Sequence, residues 1–180
     1  MKNKSLILDL PAIWQTRGFV FLSLAVFIIP FSLGHWQFLT GSLVNACLFL
    51  SALVLSRKNS WPVIVLPSLA VLSRGLIFGP LTIFLVYLLP LIWLGNFVLV
   101  YLFGKFLPSL KFPLSILLAS LGKALLLFSF TFLLFGFGIL PKLFLTTMGV
   151  NQFITAVLGG FLAWVIYKFL NKNGTIKSGS

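Results

Sequence analysis

The run Gln37-Phe38-Leu39-Thr40-Gly41-Ser42-Leu43-Val44-Asn45-Ala46 sets amide, hydroxyl and glycine into a sequence that is otherwise almost wholly apolar. A shortened copy, Gln152-Phe153-Ile154-Thr155-Ala156-Val157-Leu158-Gly159-Gly160, returns towards the C-terminus. Residues four apart share a helix face, so Gln37, Gly41 and Asn45 form one stripe. Polar groups on a lipid-embedded helix turn inward, towards protein or a cavity. The stripe therefore belongs inside a bundle of membrane helices.

The composition around it agrees. Of 180 residues, 60% are hydrophobic and 8% charged, and the mean hydropathy is +1.16. A soluble domain of this length leaves too much of its surface in water to hide so much apolar side chain. A spanning helix needs about 20 mostly apolar residues, and several such stretches follow one another with short gaps. The expected fold class is all-α, a polytopic integral membrane protein of about six transmembrane helices. Thirteen Lys and Arg stand against one acidic residue, Asp9. In a soluble protein that balance points to nucleic acid; here the bases sit at the ends of apolar runs, as the positive-inside rule requires, and no nucleic-acid partner is expected.

Working outward, residues 1–17 read as a cytoplasmic interfacial segment, with Leu6, Leu10, Ile13 and Trp14 at helical spacing beside Lys2, Lys4 and Arg17. Residues 18–170 form the transmembrane domain and 171–180 a polar cytoplasmic tail. The first span is Gly18 to Leu33; Ser32-Leu33-Gly34 also fits a signal-peptidase site behind a basic segment. The second runs from about Thr40 to Ser56. The third starts at Trp61-Pro62, with proline in the tolerated first turn. A turn near Gly79-Pro80 leads into the fourth, Ile83 to Phe103, kinked at Pro90. The fifth runs from Pro113 to about Phe135, followed by a connection containing Gly and Pro through Met148. The sixth is Asn151 to Leu170.

Six spans with the N-terminus inside place Lys2, Lys4, Arg17, Arg57, Lys58, Lys105, Lys111, Lys168, Lys172 and Lys177 in the cytoplasm. Arg74, Lys123 and Lys142 are left for the membrane and the outer side. For loops this short, such an asymmetry sets orientation. The expectation is a multi-pass protein of the cell (inner) membrane with both termini cytoplasmic.

This topology puts Gln37, Thr40, Gln152 and Thr155 at the outer ends of the second and sixth spans. Asn45 lies deeper, Asn96 near the middle of the fourth span and Lys123 near the middle of the fifth. A lysine at mid-depth costs roughly 3 kcal/mol on insertion scales and has no short route to either interface. Lys123 is thus expected to face a protein-lined cavity, with Ser115, Ala119 and Gly122 leaving it space. Arg74 is a second cationic contact. Plainer roles stand beside each: Thr40 and Asn151 as helix caps, Asn45 and Asn96 as interhelical glue, Arg74 snorkelling to headgroups, and Gly159, Gly160 and Ala163 as close-packing residues. His35 at the interface reads as incidental, and Trp36 as an anchor.

The chain also lacks much chemistry. General acid-base work and metal-dependent hydrolysis draw on Asp, Glu or His, and here Asp9 and His35 stand alone. No phosphate-binding glycine loop is present. The single cysteine, Cys47, rules out an internal disulfide and a multi-cysteine metal site. No enzyme, cofactor or metal site is expected.

The polar run at 37–46, Leu66-Pro67-Ser68-Leu69-Ala70, Leu89-Pro90 with Gly95-Asn96, Lys123, and Asn151-Gln152-Phe153-Ile154-Thr155-Ala156 with Gly159-Gly160 carry a resemblance. Together, over roughly residues 35–168, they resemble the substrate-binding S components of energy-coupling factor (ECF) transporters. Some small bacterial membrane proteins of this type carry an "iron hydrogenase" label, which one cysteine cannot support. The resemblance implies an S-component-like six-helix bundle, a vitamin-sized or metal-related substrate taken from outside, and a complex with an ECF coupling protein and ATPase subunits. It also implies toppling of the whole component during transport. Ser23, Ala25 and Ile29 do not reproduce the Ala-x3-Ala face that many S components present to the coupling protein.

The functional expectation is a membrane-embedded substrate-binding subunit for uptake of a small polar or anionic solute. Gln37, Thr40, Asn45, Asn96, Lys123, Gln152 and Thr155 orient the solute, and Arg74 and Lys123 supply positive potential. The alternative is a small structural membrane anchor or assembly protein without ligand. A membrane enzyme acting on lipid lacks the catalytic groups.

Overall fold

A computed structural model describes residues 12–33, 36–78 and 82–172. They form α1 (Ala12–Leu33), α2 (Gln37–Val54), a 3-10 turn (Lys58–Ser60), α3 (Trp61–Phe78), α4 (Thr82–Phe106), α5 (Phe112–Gly136), α6 (Leu143–Met148) and α7 (Val150–Lys172). There is no strand among the described residues. Five stretches, Gln15–Leu33, Gln37–Val54, Val86–Phe106, Phe112–Gly136 and Leu143–Leu170, are long and apolar enough to cross a membrane. At 18 residues, α3 matches α2 in length. The protein is an all-α polytopic bundle.

Most helix bounds fall close to their expected positions, and the differences have local causes. The first helix starts at Ala12 rather than Gly18, because no proline or glycine interrupts residues 12–17. The last six residues of the expected interfacial segment are thus helical and continuous with the helix of the first span. A Cβ at Gly18 would lie 2.9 Å from Val54 Cγ1, so glycine there lets α1 approach α2. Residues 1–11, His35, the Gly79-Pro80 turn and the tail from 173 lie outside the described residues.

The connection after α5 is more ordered than its glycines suggest. Gly138 adopts a left-handed φ of 71°; its N–H donates to Phe135 O at 2.9 Å, and Ile139 N–H donates to Leu134 O at 3.0 Å. This pair of bonds is a Schellman stop, which favours glycine at that position. The chain then turns back, and Leu140, Phe144 and Met148 bury against Leu88 and Leu127. α6 was not legible from sequence because six residues are too few to show a periodicity.

The long helices close a ring in the order α1, α2, α7, α5, α4, α3 and back to α1, and α2 also meets α4 across the middle. Large apolar side chains point outward, as in the α5 stripe Leu117, Leu121, Leu125, Phe128 and Phe132. The main buried cluster includes Val26, Leu48, Phe49, Ile64, Leu99, Phe103 and Ile116. One end of the ring carries Arg17, Arg57, Lys58, Lys105, Lys111 and Lys168; the opposite end carries Arg74 and Lys142. Prolines interrupt α1 at Pro30, α3 at Pro67 and α4 at Pro90. Each removes one backbone rung. α2 and α7 contain none, and the proline of α5 sits harmlessly in its first turn.

Candidate functional site

The two polar runs meet. α2 and α7 lie side by side and run the same way, since Gly41 faces Thr155, Asn45 faces Gly159 and Phe49 faces Gly160 in succession. A Cβ at Gly159 would lie 2.5 Å from Ser42 O and 2.7 Å from Ala46 N, so the two backbones touch there. At Gly41 a Cβ would lie 3.0 Å from Thr155 Cγ2. This closeness brings Asn45 Nδ2 to 3.4 Å from Thr155 Oγ1, to which it donates. Thr155 Oγ1 in turn donates to Asn151 O at 2.8 Å and, more weakly, to Gln152 O at 3.3 Å.

Lys123 enters from α5 across the ring. It is 3% exposed. Its Nζ donates to Asn45 Oδ1 on α2 at 2.7 Å and to Asn96 Oδ1 on α4 at 2.8 Å. Asn96 Nδ2 donates to the Ile64 backbone carbonyl at 2.9 Å, which adds α3. One ammonium thus links α5 to α2 and α4 directly and to α7 and α3 through the two asparagines. The cavity expected in front of Lys123 is replaced at this point by two carboxamide oxygens that close on the ammonium. Gly122 does not contribute space to it; the missing Cβ of Gly122 faces Leu102 on α4. Ser115 is buried and donates to Lys111 O at 3.3 Å.

Of the eight expected contacts, Asn45, Asn96, Lys123 and Thr155 form this hydrogen-bonded group. The other four lie nearer the end where α2 and α7 begin. Thr40 is not the cap of α2, which starts at Gln37; its Oγ1 donates to Leu33 O at 3.0 Å and ties α2 to α1. Asn151 likewise lies inside α7 rather than ahead of it. The Arg74 guanidinium donates to Phe31 O at 3.2 Å. Gln37 is exposed and Gln152 half-buried; Gln152 reaches the network through its backbone carbonyl.

An ammonium has three N–H donors, and the carboxamides engage two. Along the buried side of α5, Ser120 Oγ and Thr131 Oγ1 are enclosed without a hydrogen-bond partner. Among the described residues no group of His, Cys, Asp and Glu can hold a metal ion. Three features carry no sequence signature: the Ile64 carbonyl that accepts from Asn96, the Trp93 Nε1 donation to Ser68 Oγ at 2.6 Å, and the pair of enclosed hydroxyls on α5. A backbone acceptor carries no residue signature, and Ser120 and Thr131 lie outside the polar runs that mark Thr40 and Thr155. No family model, curated protein or solved structure matches the chain.

Proposed function

We propose that this protein is a membrane-embedded solute-binding subunit whose site centres on Lys123. The observation that carries the reading is a buried ammonium held only by neutral oxygens, Asn45 Oδ1 and Asn96 Oδ1. A methionine would pack in the same place without the insertion cost of a charge. Positive potential without a neighbouring carboxylate suits a small anion, or a polar solute offering a carbonyl or carboxylate oxygen. Such a solute takes the remaining ammonium donor and competes with the two carboxamides. On the same helix Ser120 adds an unpartnered hydroxyl about one turn from Lys123, and Thr131 another about two turns towards the opposite end. Entry is from the end bearing Gln37, Thr40, Arg74 and Gln152. The basic end faces the cytoplasm, by the positive-inside rule, in a cell membrane. By its sequence resemblance, the subunit works in uptake with an ECF-type coupling protein and ATPases.

The test is mass spectrometry of small molecules released from the gently purified full chain, compared with Lys123→Met and Gln152→Ala. Wild type is expected to carry one enriched solute, with occupancy about 100-fold lower in Lys123→Met, the loss of one strong charged contact. Equal recovery from all three proteins overturns the site.

A second reading, a structural membrane protein without ligand, draws on the same enclosure: an ammonium closed over by two carboxamides is already a complete interhelical clamp. It is favoured if wild type releases no enriched solute while Lys123→Met unfolds more easily.

A further inference from the structure

A second feature lies at the basic end, on the lipid side of α3 and α4. Trp61 opens α3 and stacks on Phe97 of α4, with ring centroids 5.8 Å apart and planes 12° from parallel. Phe97 stacks on Tyr101 at 5.9 Å and 17°. The Arg57 guanidinium sits 5.2 Å from the centroid of the Tyr101 ring. Arg57, Lys58, Trp61, Ile64, Phe97 and Tyr101 line a cavity of about 180 Å³. Its head is cationic and its wall aromatic and aliphatic. Trp61 is 53% exposed, and Phe97 and Tyr101 also open outward, so the wall continues into the lipid-facing surface.

We propose that this cavity binds an anionic phospholipid. The phosphate pairs with Arg57 and Lys58, where the planar guanidinium can hold two of its oxygens. The glycerol and the start of an acyl chain lie along Trp61, Phe97 and Tyr101. A soluble phosphate satisfies the two cations but gains nothing from the wall, whereas a lipid uses both parts. Basic pockets between helices at the cytoplasmic side are where anionic headgroups are held, and the tryptophan and tyrosine stand at the depth that interfacial aromatics favour. This site is distinct from the one at Lys123: of its lining residues only Ile64 also takes part there, through the carbonyl that accepts from Asn96.

Native mass spectrometry of the detergent-solubilised full chain, supplied with equal phosphatidylglycerol and phosphatidylcholine, tests the proposal. Wild type is expected to retain phosphatidylglycerol about tenfold over phosphatidylcholine, and the double variant Arg57→Gln with Lys58→Gln to lose that preference, since each basic residue near the surface contributes about a factor of five. The pair Lys105→Gln with Lys111→Gln removes the same charge from the same end outside the cavity and is expected to keep the preference. Trp61→Ala is expected to reduce retention several-fold. All five side chains are exposed, so folding is expected to survive and is verified by thermal unfolding. Equal loss in both charge pairs overturns the site in favour of general surface attraction. Full displacement by millimolar inorganic phosphate, or unchanged retention in Trp61→Ala, overturns the lipid as its occupant.

Discussion

The seam between α2 and α7 and the seam between α4 and α5 are both built on glycines, and they differ in what each glycine meets. In lipid, helices gain little by hiding apolar surface from one another, so close packing and hydrogen bonds hold them together. At the first seam Gly159 meets backbone, Ser42 O and Ala46 N, which cannot move aside alone. At the second, Gly95 meets the Leu127 side chain at 3.0 Å and Gly122 meets a Leu102 methyl. Leucines can rotate. The first seam is therefore a fixed joint that sets the distance between Asn45 and Thr155, while the second is a padded one that carries Lys123 inward.

The hardest test of this contrast is Gly159→Ala. The added methyl forces the two backbones apart, with an expected loss of about 3 kcal/mol in reversible unfolding in mixed micelles. A loss below about 1 kcal/mol would mean that the joint is no tighter than its counterpart. Next is Asn96→Leu, which leaves the ammonium with one carboxamide and is expected to cost about 2 kcal/mol in the same assay. Lys123→Met, which leaves two neutral acceptors rather than a charge, is expected to cost less; the reverse order would show that the amides, not the ammonium, dominate. Gly95→Ala should cost about 1 kcal/mol or less, because Leu127 can give way. Gly136, with nothing within 4 Å of a Cβ, is the baseline: Gly136→Ala is expected to leave the unfolding free energy within about 0.5 kcal/mol of wild type or raise it slightly.

Much of the architecture was legible because most long helices announce themselves by length and hydropathy, and because Arg57, Lys58, Lys105 and Lys111 mark turns at one end. Lys123 was legible as a buried centre because a mid-span lysine is expensive wherever it points. Its immediate surroundings were not: Asn45 and Asn96 lie 78 and 27 residues away, and only the ring order shows that their oxygens converge on one atom. The two polar runs were recognisable as a pair, yet their glycines outweigh their glutamines in holding the helices. The capping role considered for Thr40 failed because α2 begins a turn earlier, where Trp36 N–H donates to Leu33 O at 2.9 Å and closes the bend from α1. The cavity at Trp61 has no sequence signature because its walls come from two helices, and each aromatic alone reads as an interface anchor.

The prolines give the ring a mechanical asymmetry. Pro30, Pro67 and Pro90 fall on α1, α3 and α4, three neighbours forming one arc, while α2, α7 and α5 form an arc with unbroken interiors. Bending is cheaper where a rung is already missing. Lys123 and Asn45 belong to the stiff arc and Asn96 to the compliant one, so the bond from Lys123 to Asn96 crosses between them inside the ring, as the Thr40 bond to Leu33 O does at its rim. Buried at the centre, the Lys123 bond pins the pliable half of the ring to the rigid one.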